Sequence, residues 1–406
     1  MEQIKKIIVS IHLAGKELEV GELVAEDRRI YFKYYVDFLE QGMEISPFKL
    51  KSADKIYSAD QHPFEGLYGV FADSIPDGWG RLLLDRTLAE RGIAINTISP
   101  LTRLSYVGAT GMGALIYRPE VREDHLEKFT MDLDSIAKAM NHVLEGTATE
   151  ILEELYSLGG SSGGARPKIL IGFNPKTKHL MHGSAVLPKG YEHWIIKFPA
   201  SIDSYDSAEI EFAYYKMALD AGIEMSDCRL FTGKSGKSYF GTKRFDRVKN
   251  ERLHLHSAAG LMHDDFRLSN MDYGNLMDCA FQLEKHVVAY EKILRIAAFN
   301  VFAHNRDDHS KNISFLMDQK GNWKLAPAYD LTFSTSSHGW HSTMVAGESR
   351  NPGKQQLMEL AKDFRVNKAS QIIDQVAEAV SLWKKIGKES GVSKESQNKI
   401  QKAIRL

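Results

Sequence analysis

The most chemically suggestive spacing in the chain is Asn305-Arg306-Asp307-Asp308-His309-Ser310-Lys311-Asn312. Arg306-Asp307, with Asn312 five positions after the aspartate, has the spacing of a kinase catalytic loop. In such a loop the aspartate accepts a hydroxyl proton and the asparagine binds magnesium. One carboxylate must face the nucleophile, and a neutral oxygen donor a short loop away must face the metal. Alone the pattern is weak, because Asp and Asn also enrich ordinary turns. The segment directly after it strengthens the pattern. Ile313–Met317 and Asn322–Ala326 read as a hairpin around Asp318-Gln319-Lys320-Gly321. Antiparallel pairing brings the two ends of a hairpin together, so Asn312 and Asp330 are expected to converge at one mouth. Oxygen ligands from Asn and Asp, completed by phosphates and waters, make a Mg²⁺ environment.

Nucleotide contacts must then come from upstream. His193-Trp194-Ile195-Ile196-Lys197-Phe198-Pro199 reads as an apolar strand carrying one lysine. Lys197 is either an edge residue whose ammonium snorkels to water or a phosphate-holding lysine backed by a helix glutamate. Glu211 is the natural partner, while Glu209 lies on a different face. The cluster Gly159-Gly160-Ser161-Ser162-Gly163-Gly164 resembles a phosphate cradle, whose backbone N–H groups approach anionic oxygens closely. It is not a Walker A loop, because Ala165-Arg166 stand where Lys-Ser/Thr should, and a flexible surface loop is the alternative. A hydroxyl in such a loop is a candidate phosphorylation switch.

These groups need a scaffold, and the 406 residues supply enough chain for two or three structural units. A hydrophobic fraction of 43% and a charged fraction of 26% exclude wholesale disorder. The 52 Lys+Arg balance 53 Asp+Glu, which argues against a chain whose main task is neutralising nucleic-acid phosphates. Two cysteines, Cys228 and Cys279, are too few for a disulfide scaffold. The apolar stretch Ile293–Ala303 is broken by Arg295 and Asn300, so no membrane span is expected and the expected location is cytoplasmic.

Three strands open the chain, Ile7–Leu13, Leu18–Val24 and Arg29–Tyr35, with a hairpin turn at Gly15-Lys16. Pro76-Asp77-Gly78 is turn chemistry and introduces a helix over Trp79–Arg91. A short buried strand at Ala114–Tyr117 precedes a charged stretch, Glu120–Lys128, where a boundary is placed. Helix is expected over Met131–Leu158 and Ser207–Ala221, and strand over Lys168–Gly172, His193–Phe198 and Ser238–Phe245. Beyond about residue 255 the pattern is helical, apart from the one hairpin.

Taken in order, these pieces resemble the HipA family of bacterial serine/threonine kinases, toxins of type II toxin–antitoxin modules. The segments that carry the resemblance are Pro76-Asp77-Gly78-Trp79-Gly80-Arg81, Ser161-Ser162-Gly163-Gly164-Ala165-Arg166-Pro167-Lys168, Ile195-Ile196-Lys197-Phe198-Pro199, Arg244-Phe245-Asp246-Arg247, Asp307-Asp308-His309-Ser310-Lys311-Asn312 and Tyr329-Asp330. The resemblance implies an α+β chain with a two-lobed protein-kinase-like fold, a β-rich N-lobe and an all-α C-lobe, plus an extra N-terminal α/β subdomain. The units would be residues 1–120, 121–250 and 251–406. It also implies that Asp307 is the catalytic base and that Asn312 and Asp330 are the Mg²⁺ ligands. ATP would meet Gly163, Gly164, Ala165, Arg166, Pro167 and Lys168 in the loop, and Lys197 with Glu211 behind it. Lys243, Arg244 and Phe245 would line the adenine as a hinge, with His309, Lys311 and Tyr329 near the nucleotide. Lys243 departs from the glutamate that some relatives carry there. Ser161, or else Ser162, would be autophosphorylated and so silence the enzyme. An aminoacyl-tRNA synthetase would be the protein substrate, glutamyl-tRNA synthetase being the family's known example. A HipB-like helix-turn-helix antitoxin would be the partner, with operator DNA met only through it and no membrane.

Two other readings stand beside this one. A small-molecule phosphotransferase shares the Asp-x-x-x-x-Asn loop and a later metal aspartate. A nucleotide-binding pseudokinase could act as a corepressor with an antitoxin. The histidine pairs His254/His256 and His338/His341 lack Cys or carboxylate partners at metal-ligand spacing, so zinc is not expected.

Overall fold

The structure is a computed structural model that describes residues 4–121, 132–146, 152–159, 163–336 and 339–406. Strands β1 (Lys6–Leu13), β2 (Lys16–Glu26), β3 (Arg29–Tyr34), β4 (Ile56–Ser58) and β5 (Leu115–Arg118) form an antiparallel sheet in the order β4-β3-β2-β1-β5. Ile7, Val9, Ile11 and Leu13 alternate into its core, the period a half-buried strand requires. The β1–β2 turn is Ala14-Gly15, one position before the expected Gly15-Lys16. Both residues adopt positive φ, 52° and 70°, as a two-residue turn matched to strand twist demands. Helices α1 (Val36–Leu39), α2 (Gly69–Ala72), α3 (Gly78–Glu90) and α4 (Pro100–Val107) complete this region.

Next come α5 (Leu133–Glu145) and α6 (Leu152–Gly159), then a second antiparallel sheet. Its strands are β6 (Lys168–Phe173), β7 (Leu180–His182), β8 (Glu192–Lys197), β9 (Cys228–Thr232) and β10 (Ser238–Lys243), in the order β7-β6-β8-β10-β9. Helix α7 (Ser207–Asp220) lies between β8 and β9 in sequence. A two-stranded ladder, β11 (Arg247–Val248) with β12 (Glu251–Arg252), leads to β13 (His254–Ser257). The rest is helical, α8 (Ala258–Met262), α9 (Tyr273–Glu284), α10 (Val288–Phe302), α11 (Lys354–Asp363), α12 (Ala369–Ser381), α13 (Trp383–Glu389) and α14 (Lys394–Ala403), except for β14 (Ser314–Met317) and β15 (Trp323–Leu325).

The expectation of an all-α C-terminal lobe interrupted by one hairpin needs correction. β14 and β15 do form the hairpin, but β13 pairs with β14 and makes it a three-stranded sheet. The inward-facing residues of β13 are His254 and His256, both fully buried, so its hydrophobic pattern reads inverted. Those imidazoles are accommodated by partners from the N-terminal region. His254 Nε2 lies 2.9 Å from the Ile45 carbonyl oxygen, and His256 lies 2.6 Å from Asp73 and 3.0 Å from Ser46.

Among the described residues three apolar cores result. One fills the first sheet and reaches Met317 of β14. A second gathers α3, α5, α6 and the second sheet around Trp79, Ile169 and Trp194. The third holds the C-terminal helices around α10. Ile293–Ala303 is apolar because α10 runs through that core. Among the described residues no helix is long and apolar enough to cross a membrane.

Candidate functional site

Where the three cores meet, a cavity of about 940 Å³ opens. Every predicted site residue among the described ones lines it, except Pro167. Ser161 and Ser162 lie outside the described residues.

The floor of the cavity is built around Lys197, at the end of β8. Its Nζ donates to Glu211 Oε1 of α7 at 2.6 Å and also to Asp330 Oδ1. The side chain is only 13% exposed, so the ammonium does not snorkel to water. Burial opposes its charge, but the carboxylates of Asp330 and Glu211 outweigh that and hold Lys197 above its ordinary range. Burial likewise works against the Asp330 charge; Lys197 and Lys168 overcome it and keep the carboxyl well below the usual range. Glu211, by contrast, is pushed up by burial, with Lys197 offsetting only part of the effect. Asp330 has φ of 55°. For a residue with a Cβ this left-handed conformation costs roughly 1–2 kcal/mol, and the pairing with Lys197 holds it there.

The loop after α10 presents its two aspartates in opposite ways. Asp308 is fully buried and accepts from Tyr273 Oη (3.0 Å), His341 Nδ1 (2.9 Å), Ser342 N (2.8 Å) and Thr343 N (3.3 Å). Four donors on one carboxylate fix the backbone beside it. The Asp307 side chain is 55% exposed and opens on the cavity, with His309 Nε2 3.8 Å from its Oδ1. Asn312 Nδ2 donates to the Asp307 carbonyl at 2.8 Å, so the amide nitrogen is committed to the loop and the amide oxygen is left as an acceptor.

Tyr329 Oη donates to the Lys311 carbonyl at 2.6 Å, and its ring packs 5.5 Å from that of Phe245. Lys243 Nζ pairs with Glu192 at 2.7 Å. Two predicted nucleotide contacts have part of their guanidinium engaged elsewhere in the protein. Arg166 makes a bidentate pair with Asp203, both bonds 2.9 Å. Arg244 is buried, bonded to Asp246 at 2.9 and 2.7 Å and to the Gly111 carbonyl. Its guanidinium therefore fastens the strand end to loop 109–113. Pro167 stands apart; its carbonyl accepts from Phe198 N at 2.8 Å and ties the glycine loop to β8. Lys168 is buried beneath the loop, donates to the Gly163 carbonyl, and is pushed below its ordinary range by burial.

The site also contains residues whose sequence context suggests only structural parts. Asp77, read as turn chemistry, accepts from Gly164 N and from Lys311 Nζ (2.6 Å). Asp73 and Ser257 line the same cavity and bond to each other at 2.6 Å. Asp308 and His341 form the buried pair beside Asp307. The available signal is a carboxylate in a Pro-Asp-Gly turn and a second aspartate beside the first. Neither says what it will meet far along the chain.

The donor set suits a hard divalent cation. Asn312 and Asp330 both offer oxygen, and among the described residues no group of three or more His, Cys, Asp and Glu gathers as a closed protein cage. Mg²⁺ binds in this way, through one or two protein oxygens with waters and phosphates completing its shell.

The HipA-like C-terminal domain family matches residues 160–383, and the HipA N-terminal domain family matches residues 11–118. Among solved structures, the chain is similar to the HipA toxin–antitoxin complex of Shewanella oneidensis MR-1 with HipB and operator DNA. The identity is 17% and the TM-score 0.65, over 97% of this chain and 93% of that one. That likeness is one of fold. The Helicobacter pylori proinflammatory kinase CtkA aligns at 13% identity and a TM-score of 0.33, over 49% of this chain and 90% of that one. Comparison with curated protein sequences finds no match.

Proposed function

The chain belongs to the HipA family, and on that premise we propose that it is an ATP- and Mg²⁺-dependent protein serine/threonine kinase of the toxin type. The second sheet with α7 serves as the N-lobe and the helices from α8 onward as the C-lobe. The observation that carries the reading is Lys197 bonded to both Glu211 and Asp330, in the cavity that Asp307 and Asn312 also line.

Each residue takes one part of the work. Lys197, oriented by Glu211, holds phosphate oxygens with a charge that the surrounding carboxylates keep in place. Asp307 accepts the proton of the attacking hydroxyl, and Asp308 keeps it aimed by anchoring the adjacent backbone. Asn312 and Asp330 are the residues that would hold Mg²⁺, which would supply charge neutralisation for the transferring phosphoryl group. His309 and Lys311 add positive or hydrogen-bonding character beside the phosphates. Phe245 supplies an apolar wall for the base, and Lys243 and Arg244 contribute there through backbone. Ser161 or Ser162 accepts phosphate in the silencing reaction. A HipB-like antitoxin is the proposed partner, supported by the likeness to a HipA seen with HipB and operator DNA. An aminoacyl-tRNA synthetase is the proposed protein substrate, a property implied by the family resemblance.

The test is incubation of purified protein with labelled ATP and Mg²⁺ beside Asp307→Ala, followed by mapping of the phosphate by mass spectrometry. Label on Ser161 or Ser162, absent from the variant, is the expected result. A variant that still transfers phosphate removes Asp307 from the mechanism. Nucleotide binding without incorporation points to a small-molecule acceptor or a pseudokinase.

A further inference from the structure

Asp77 occupies the N-cap position of α3, where an aspartate ordinarily accepts from the first N–H groups of its own helix. It makes no such bond. Its carboxylate turns away from the helix, with Oδ1 accepting from Gly164 N and Oδ2 from Lys311 Nζ at 2.6 Å. The local bond a cap would make is exchanged for two bonds to segments 87 and 234 residues away. The backbone beside it meets the same loop, since Trp79 N donates to the Gly164 carbonyl at 3.1 Å. Gly78, at φ 46°, makes the approach possible: a Cβ there would stand 2.6 Å from the Gly164 carbonyl oxygen. Gly164 is thus held at both its N–H and its C=O by residues 77–79. From below, Lys168 donates to the Gly163 carbonyl. The side chain of Asp77 is 14% exposed. Burial resists its charge, yet Lys311, the Gly164 N–H and Lys168 overcome this and keep it ionised.

We propose that Asp77 is a positioning residue for the nucleotide phosphates: from the N-terminal region it sets the glycine loop at Gly164 and aims the Lys311 ammonium, so that the phosphate site is complete only when the turn at residues 76–79 is docked. The proposal rests on the kinase reading for its nucleotide, while the clamp itself is a property of the free protein. Gly164 N–H has a single hydrogen to give and gives it to Asp77, so its part is to fix loop geometry. Lys311 has three donors, of which Asp77 takes one, and two remain for phosphate.

The two contacts separate by substitution in the full-length protein. Asp77→Asn retains an oxygen for Gly164 N–H but loses the charge that draws in Lys311, and Asp77→Ala loses both. Hydrogen–deuterium exchange over residues 163–167 of nucleotide-free protein reads the loop contact. Titration with Mg²⁺ and a non-hydrolysable ATP analogue, with steady-state kinetics, reads the second. Asp77→Ala is expected to speed exchange about tenfold and to weaken analogue binding and KM for ATP by about tenfold, the effect of one misaligned charge-assisted hydrogen bond. Its kcat is expected to stay within about twofold, the split that marks lost ground-state positioning. Asp77→Asn restores slow exchange with only partial recovery of affinity, and in a Lys311→Met background Asp77→Asn adds nothing further to the affinity loss. Unchanged exchange in Asp77→Ala overturns the clamp. Unchanged or tighter analogue binding in Asp77→Ala shows the carboxylate to be idle or a competitor of phosphate and overturns the positioning role. Wild-type protein that binds no Mg²⁺–nucleotide sinks the kinase reading and the positioning role with it, while the exchange comparison still decides the clamp.

Discussion

Asp307 and Asp308 are neighbours of identical chemistry, and the structure gives them opposite fates. Asp308 is saturated by Tyr273, His341 and two backbone amides, whereas Asp307 faces the cavity. On the proposed reading, the carboxylate that collects donors is the support and the exposed one is the base. Asp308→Asn therefore replaces an acceptor with an amide that cannot accept at both ends, and the loop backbone shifts. Since misplacement by about 1 Å can lower a rate about a hundredfold, kcat should fall by about that factor. ATP affinity, measured by calorimetry, should stay within about twofold, because Asp308 touches none of the phosphate-facing groups. The spacing from Asp307 to Asn312 is legible in the sequence because one short loop carries both. Spacing alone singles out Asp307 over its neighbour as the proposed base, and the structure leaves Asp307 exposed where Asp308 is buried.

At the scale of elements, the hairpin β14–β15 and the helix bearing Glu211 are readable from alternation and spacing. Strand β13 is not, since its buried side chains are histidines and its outward one is Leu255. A polar residue turned inward is read as polar until its partner is known. The same holds for Arg244-Phe245-Asp246-Arg247, where Asp246 is fully buried between two guanidiniums and also accepts from Gly113 N at 2.7 Å. Arg244, Arg247 and Arg252 in turn donate to the carbonyls of loop 109–113. Burial works against the Asp246 charge, and the two arginines overcome it and hold the carboxyl well below the usual range. Asp246→Asn leaves buried guanidiniums without a counter-charge, and breaking such a pair from one side typically destabilises by about 3–5 kcal/mol. Urea unfolding at neutral pH checks this; a loss below about 1 kcal/mol would mean the arginines find water.

Across the whole molecule, the regions are joined by polar groups withdrawn wholly or in part from solvent. His193, His254, His263 and His304 are each pushed down to about 4, burial being the leading cause in every case. A depressed imidazole is neutral in the folded protein while the unfolded chain takes up its proton near pH 6.5. The unfolded state then binds more protons between about pH 6.5 and 4, so stability is full above that window and falls as pH drops through it. Urea midpoints should therefore decline steadily from pH 7 to 5. His254→Gln, which keeps a donor for the Ile45 carbonyl, should flatten the slope by up to about 1.4 kcal/mol per pH unit; an unchanged slope would show that His254 titrates normally. Spacing and periodicity are short-range properties, so the chain read residue by residue already singles out residues that line the cavity and the local elements that bear most of them. It does not reveal that Lys197 meets Asp330, that Arg244 binds Asp246, or that Asp77 grips Gly164 and Lys311. Those meetings depend on how the apolar cores pack together, and a buried charge takes its role from the partner that packing brings to it.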